Sequence, residues 1–374
     1  MKMNRRDFLR TSTGAAAAAM FASTNLGKAL AQMDDVPTLV TSIRSLTNPY
    51  HNTWNLGARF FAESVGAEHV TLLTEGNSEK GIADIKSLLA KTGGNMVLDV
   101  DPNDSPDARP IVEACAEAGA YVVTQWNKPD DLHPWDFDPN YVAHISFDGI
   151  RYGQETAEAL FKSIGGSGGI VALGGIPANV PAIERRAGLD MALEANPDVE
   201  LLDWQIADWS ETVAFEKVAA WLTRFGGDVK GIWAANDNMA VGALEALRIE
   251  GLAGEVPVTG IDGITLAVEG VLAGEFAATV AWDPFWQGGM SLSIGMKALL
   301  GEFDPAEEPQ EHREFYGTGI LVDADLAEEY YNNNILDLPR IDWDDIWGRA
   351  TGQIEYRDLA AEEQIGRASC RERV

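Results

Sequence analysis

Aromatic rings and planar hydrogen-bonding groups recur just beyond short apolar runs along this chain. The first such run is followed by Asn48, Tyr50 and His51, with Trp54 a turn further on. Later runs lead to Trp126-Asn127, to Asp208-Trp209, to Asn236-Asp237, to Asp262-Gly263 and to Trp282, and Arg185 lies near the start of the helix after Gly174-Gly175. Together these residues make one chemical kit. Indole and phenol rings offer flat faces to the weakly apolar C–H side of a polyol or sugar. A carboxylate accepts two hydroxyl protons, asparagine completes the opposite polarity, and arginine presents a rigid fork to neighbouring oxygens. Each charge-assisted bond is worth about 1.5–3 kcal/mol net. Every member also has a structural alternative. Trp126 and Trp282 could close a core, Tyr50 and Trp54 could be the inward face of a helix, Asp237 and Asp262 could cap helices, and His51 could be a surface residue.

The elements that must position this kit alternate. Strands are read at Val36–Ser45, Val70–Leu73, Met96–Val100, Ala120–Thr124 and Tyr141–Ser146, with helices at Ala58–Val65, Gly81–Lys91 and Ala108–Ala118 between them. The rhythm restarts with a helix at Tyr152–Ile164, and strands at Ile170–Leu173, Val199–Gln205, Gly231–Ala235, Val256–Gly260 and Ala277–Ala281 follow. Helices at Ala182–Glu194, Glu211–Phe225, Asn238–Glu250 and Leu266–Leu272 separate them. Strand–helix alternation marks a parallel sheet covered by helices, and two rounds of it predict two α/β domains. Met290–Leu300 reads as a helix packing on the first domain, Phe303–His312 as a surface excursion and Ile320–Val322 as a last strand. In open sheets of this kind, ligands meet the loops beyond the carboxyl ends of the strands, where the kit falls. The glycines at 165–169 and 174–175 lack the spacing of a dinucleotide fingerprint or a phosphate loop.

The ends of the chain carry separate signals. Arg5-Arg6-Asp7-Phe8-Leu9, an alanine-rich apolar stretch and Ala29-Leu30-Ala31 make an export signal cut after Ala31. The paired arginines resemble the twin-arginine class, which moves folded proteins. The apolar stretch is too short to span a bilayer. The signal holds five basic residues and one acid, so its loss takes the formal charge from −30 to −34. Such acidity argues against nucleic acid or an anionic surface as partner. Cys115 is the only cysteine before Cys370, which excludes a cysteine metal cluster; it reads as a small buried helix residue. Residues 365–374 are basic where the preceding chain is acidic and read as a non-native tail.

With these residues in view, the stretch from Thr38 to Gly289 resembles the periplasmic sugar-binding proteins of ABC transporters, of the ribose-binding-like type. The resemblance rests on Asn48-Pro49-Tyr50-His51, Glu184-Arg185-Arg186-Ala187-Gly188, the segment Gln205–Trp209, Ala235–Ala240, Gly260–Gly263 and Ala278–Pro284. It implies a type I periplasmic binding protein: two Rossmann-like lobes with parallel-sheet cores, joined by a three-crossover hinge and closing on one ligand. The crossovers would lie near 144–146, 281–283 and 319–321. The first lobe would comprise 36–143 plus 283–319 and the second 146–281 plus about 320–345, with 346–364 an appendage. The implied contacts are Asn48, Tyr50, His51, Trp126 and Asn127 from the first lobe, Arg185, Trp209, Asn236 and Asp262 from the second, and Trp282 at the hinge. Trp54 joins them on the kit alone. Ribose-like members carry an Asp-Arg pair at 126–127, a glutamine at 282 and a second aromatic at 51. These departures predict a ligand with more apolar face and fewer polar contacts on the first-lobe side.

The expected function is therefore capture of a sugar or polyol, without cofactor or metal, by a periplasmic monomer that docks transiently on a membrane permease. Three rivals stay open at this point. An enzyme would need a nucleophile with a base at useful spacing, and only His51 and Asp262 hint at acid–base chemistry. A sensor module presenting its ligand to a membrane receptor has the same sequence features, as would a binding protein for a non-carbohydrate solute. A transcription regulator is disfavoured by the export signal and the missing basic helix-turn-helix.

Overall fold

The computed structural model describes residues 35–336, 341–347 and 354–356. The export signal at 1–31, most of the segment 346–364 and the tail at 365–374 lie outside the described residues.

The first round of alternation builds β1 (Thr38–Ile43), α1 (Pro49–Val65), β2 (His69–Leu73), α2 (Ser78–Thr92), β3 (Met96–Val100), α3 (Ala108–Ala118), β4 (Tyr121–Gln125) and β5 (Tyr141–Ser146). The second builds α4 (Gly149–Ser163), β6 (Gly168–Gly174), α5 (Val180–Ala195), β7 (Val199–Ile206), α6 (Glu211–Phe225), β8 (Val229–Ala234), α7 (Asp237–Ile249), β9 (Val258–Asp262), α8 (Thr265–Leu272) and β10 (Phe276–Ala281). The chain then runs through α9 (Pro284–Leu299), α10 (Gln310–Arg313), β11 (Glu314–Gly317), β12 (Ile320–Asp323), α11 (Ala327–Tyr330) and β13 (Ile354–Tyr356). Two sheets result. One is seven-stranded, in the order β13-β11-β5-β4-β3-β1-β2, and the other six-stranded, in the order β12-β10-β9-β8-β6-β7. Among the described residues, only β13 on β11 and β12 on β10 are antiparallel pairs. Central strands such as β3 are buried along their whole length, because helices cover both faces.

The chain passes between the sheets after β5, after β10 and between β11 and β12, and it returns once more before β13. Residues 341–347 make that return against the first sheet's helices. Trp343 packs edge-on to Phe61 at 5.8 Å, and its carbonyl accepts a hydrogen bond from Ser293 Oγ at 2.7 Å. Gly289 makes room, since a Cβ there would lie 2.3 Å from the indole. The sequence expectation that kept 320–345 together on the second lobe thus divides: β12 joins the second sheet, and 341–347 joins the first. The 303–312 excursion ends in an anchor, for Arg313 is buried and bonds Asp138, Val142 O, Pro134 O and Tyr141 O.

Two helices begin earlier than their apolar periodicity suggests. α1 starts at Pro49 rather than Ala58, because Asn48 accepts the Tyr50 N–H at 2.9 Å and proline fits the first helical position. Tyr50, His51 and Trp54 are therefore helical residues and not loop residues. α9 likewise starts at Pro284, capped by Asp283. Paired glycines let helices cross at backbone contact in each half. A Cβ on Gly57 would meet Phe285 O at 1.8 Å and one on Gly288 would meet Trp54 O at 2.2 Å. In the second half, a Cβ on Gly188 would meet Ile150 O at 2.2 Å and one on Gly153 would meet Arg185 O at 2.4 Å.

Candidate functional site

Between the two sheets, at the carboxyl ends of their strands, lies a cavity of about 470 Å³ of empty space counting its open mouth. Asn48, Tyr50, His51, Trp126 and Asn127 line it from the first lobe, and Arg185, Trp209, Asn236 and Asp262 from the second. Two expected residues are not on its wall. Trp54 is wholly buried and donates its indole N–H to Asp99 at 2.5 Å, as a core residue of α1. Trp282 is buried behind the wall, where its ring lies 5.1 Å from the Arg185 guanidinium.

On the first-lobe side the first turn of α1 sets the geometry. The Tyr50 hydroxyl donates to Gln287 of α9 and accepts the Trp126 indole N–H at 3.1 Å. Gln287 belongs to a polar core: Ser291 Oγ donates to its carbonyl at 2.7 Å, Gln125 donates to Ser291, and Gln125 also donates to Asp99 at 2.6 Å. Burial pushes the Asp99 carboxyl up to about 8 against three opposing hydrogen bonds, from Trp54, Gln125 and Ser291. It also pushes the Tyr50 phenol well above its ordinary range. His51 sits 3.3 Å from Asp101 through Nε2, while its buried Nδ1 has no protein partner. Asn127 donates to Asp101 at 3.0 Å and to Pro102 O at 3.0 Å.

On the second-lobe side β9 ends in Asp262. Its carboxylate accepts from Asn236 at 3.3 Å and lies 3.9 Å from Arg185. Burial raises the Asp262 carboxyl well above the usual range, with Arg185 pulling the other way. Asn236 also caps α7 through the Met239 N–H at 3.0 Å. Arg185 donates to Ala235 O at 2.6 Å, and the rings of Trp126 and Trp209 lie 5.2 and 5.6 Å from its guanidinium. Its buried Nε has no protein partner. Asp237, a suspected cap, is a structural residue, bonded to Thr279 at 2.7 Å and to the Ile264 N–H at 3.0 Å. Gly175, followed from the sequence only as a poor nucleotide motif, leaves room for an aromatic wall, because a Cβ there would lie 2.0 Å from the Trp209 indole.

The backbone is strained where the cavity is. Trp126, Asp208, Trp209 and Asp262 have φ of 60, 52, 61 and 139°. Such conformations concentrate at functional sites. Behind them the hinge is an aromatic cluster. Phe147, just past β5, stacks on Trp126 at 4.8 Å and meets Trp282 at 4.7 Å, so one face of Trp126 is already covered. Gly317 and Gly319 pass the third crossover over Phe147 and Tyr152, and Tyr152 OH accepts the Gly319 N–H at 2.7 Å.

The cavity also holds Arg44, Asp101, Asn179 and Pro181, which the sequence reading did not select. Arg44 and Asp101 stand just beyond β1 and β3, so the strand-end rule that found the others reaches them too. Asn179 carries no such signal, because its position depends on the opposite lobe. Cys115 is buried in α3, and burial pushes its thiol up to about 12, which makes it inert. Among the described residues no group of three His, Cys, Asp or Glu is placed to hold a metal, and no helix is long and apolar enough to cross a membrane.

Two parallel-stranded lobes around one cavity define a class of ligand-binding proteins, and comparison with known proteins agrees. Residues 39–303 match the periplasmic binding protein domain, and residues 2–22 match the twin-arginine translocation pathway signal sequence. The chain belongs to the periplasmic binding proteins, which are solute-binding proteins and not enzymes, and reaches the periplasm by the twin-arginine route. It is 30% identical over 275 residues to the ribose import binding protein of Salmonella typhimurium, covering 73% of this chain and 88% of that protein. The crystal structure of a twin-arginine translocation pathway signal protein from Burkholderia phytofirmans is 56% identical, with a TM-score of 0.83 over 86% of this chain and 100% of that one. An ABC transporter periplasmic solute binding protein from Actinobacillus succinogenes, with bound D-allose, is 26% identical, with a TM-score of 0.69 over 79% of this chain and 100% of that one.

Proposed function

We propose that this protein captures an uncharged sugar or polyol in the interlobe cavity and delivers it to an ABC importer. The observation that carries this reading is the wall itself, which joins aromatic groups to a balanced set of charges. Asp101 and Asp262 share the wall with Arg44 and Arg185, so neither sign of charge dominates it. A neutral polyol instead uses the mixed donors and acceptors of the wall. The relatives named for ribose and for bound D-allose agree with that class. We assign the nine cavity-lining residues of the sequence kit as ligand contacts, with Trp54 and Trp282 supporting Tyr50 and Arg185 from behind. The two lobes would close on the ligand, whose bridging contacts shift their balance, and the closed form would dock on the permease.

A thermal-shift screen of pentoses, hexoses and cyclic or open-chain polyols, on protein lacking 1–31 and 365–374, tests this. A bound sugar raises the melting temperature by mass action. Asp262→Ala removes a charge-assisted contact worth about 1.5–3 kcal/mol and should weaken binding about tenfold to a hundredfold with the fold intact. A shift produced only by aromatic or charged solutes would overturn the ligand class, and unchanged affinity in Asp262→Ala would reduce Asp262 to a structural residue.

A further inference from the structure

The first turn of α5 is capped from the opposite lobe. Asn179 holds the N-cap position with φ −87° and ψ 133°, yet its side chain makes no capping bond to its own helix. The cap comes instead from Asn127 of the first lobe, whose Oδ1 accepts the Val180 N–H at 3.0 Å. In exchange, Asn179 Nδ2 crosses the cleft to Asn103 O at 2.5 Å and Asp104 Oδ1 at 3.3 Å. Its Oδ1 accepts the Trp209 indole N–H at 2.7 Å, which ties the crossing side chain to the cavity wall. Ser105 Oγ adds a bond to Ala178 O at 3.2 Å on the same rim. Both asparagines are almost wholly buried, 3% and 2% exposed. Neither Asn127 side-chain atom is left open: the nitrogen bonds Asp101 and Pro102 O, and the oxygen bonds Val180.

From this exchange we propose that Asn127 and Asn179 form an interlobe latch that stabilises the closed form without a ligand atom. The proposal rests on the binding function above and revises one part of it, moving Asn127 from ligand contact to positioning residue. A latch of this kind sets affinity through population. The apparent Kd is the intrinsic value divided by the fraction of molecules in the binding-competent form. Each neutral hydrogen bond that exists only in the closed form shifts that balance by about two- to tenfold. Capping is thereby coupled to closure, because opening the cleft strips the α5 Val180 N–H of its partner at the same moment that it frees Asn179.

The test separates a latch from a ligand contact by reading closure in the absence of ligand. Spin labels on Glu113→Cys and Glu194→Cys, exposed on α3 and α5, report the lobe separation in mature protein carrying Cys370→Ser. Without sugar, the parent should show a short-distance population, and Asn127→Ala and Asn179→Ala should each deplete it severalfold. Affinity for the sugar identified by the screen should fall about tenfold in each. Ser105→Ala, at the rim and outside the cavity wall, should deplete the same population more weakly and serves if an asparagine variant folds poorly. A parent with no short-distance population, or variants whose distance distributions match the parent, would overturn the latch. Affinity lost with distances unchanged would return Asn127 to the ligand. Because the distances are read without sugar, failure of the carbohydrate assignment would leave this result standing.

Discussion

Trp126, Trp209 and Asp262 each hold a backbone conformation that costs about 1–3 kcal/mol, and each lies on the cavity wall. The cost is met by rigid surroundings: Phe147 against Trp126, the Gly175 recess under Trp209, Arg185 and Asn236 against Asp262. One level deeper, the buried Asp99 links stability to pH. Burial holds its pKa at about 8, whereas in an unfolded chain the carboxyl ionises near pH 4. Between those values the folded state keeps a proton that the unfolded state has lost. Stability therefore falls as pH rises from about 4 to about 8 and levels off above that. Burial also raises Asp237, to about 7, and Asp262, so Asp99→Asn should lessen but not abolish this dependence in urea unfolding followed across the same range, and an unaltered slope would place its source elsewhere. Residues at strand ends were legible because the site of an open sheet is fixed by topology. Asp99 was not, because it lies within a strand and its role comes from Trp54, Gln125 and Ser291, far off in sequence. Trp282 was legible as a hinge residue but not as one hidden behind the wall, since strand-end position does not say which way an indole turns.

Helix crossings place the side chains that the strands deliver. Arg185 reaches the cavity because α5 lies against α4 with Gly153 and Gly188 at the contact, and Tyr50 does so because α1 lies on α9 through Gly57 and Gly288. A methyl group at either crossing meets backbone, which cannot turn aside. Gly188→Ala should thus cost about 1–3 kcal/mol in chemical denaturation and shift Arg185, lowering sugar affinity as well. A variant of full stability would show that the crossing has slack. The strand–helix alternation was plain in the sequence because strands buried on both faces become apolar runs. The first turns of α1 and α9 were missed because Asn-Pro and Asp-Pro read as loop signals until the cap is seen. The return of 341–347 to the first lobe was missed for another reason. Its apolar content is two isoleucines and two tryptophans among three aspartates, too few for a periodic pattern, and the place of Trp343 depends on Phe61 and the Gly289 recess, far off in sequence.

At the scale of the molecule, export and binding pose linked demands. The twin-arginine route carries a chain that has folded beforehand, so both lobes are built before the protein meets the periplasm. Replacing Arg5 and Arg6 together by lysine should leave the precursor in the cytoplasm, as cell fractionation would show; unimpeded appearance of mature protein outside would point to another route. The division into two lobes was readable from the restart of the strand–helix rhythm, whereas the fourth passage of the chain was not, because three residues of β13 are too short to signal themselves. That small strand has a practical consequence. By lying along Phe315–Gly317, residues 354–356 occupy a border that would otherwise present bare amide and carbonyl groups. Chains trimmed ahead of residue 354 should clump through that uncovered border, so expression tags and reporter fusions belong beyond Tyr356.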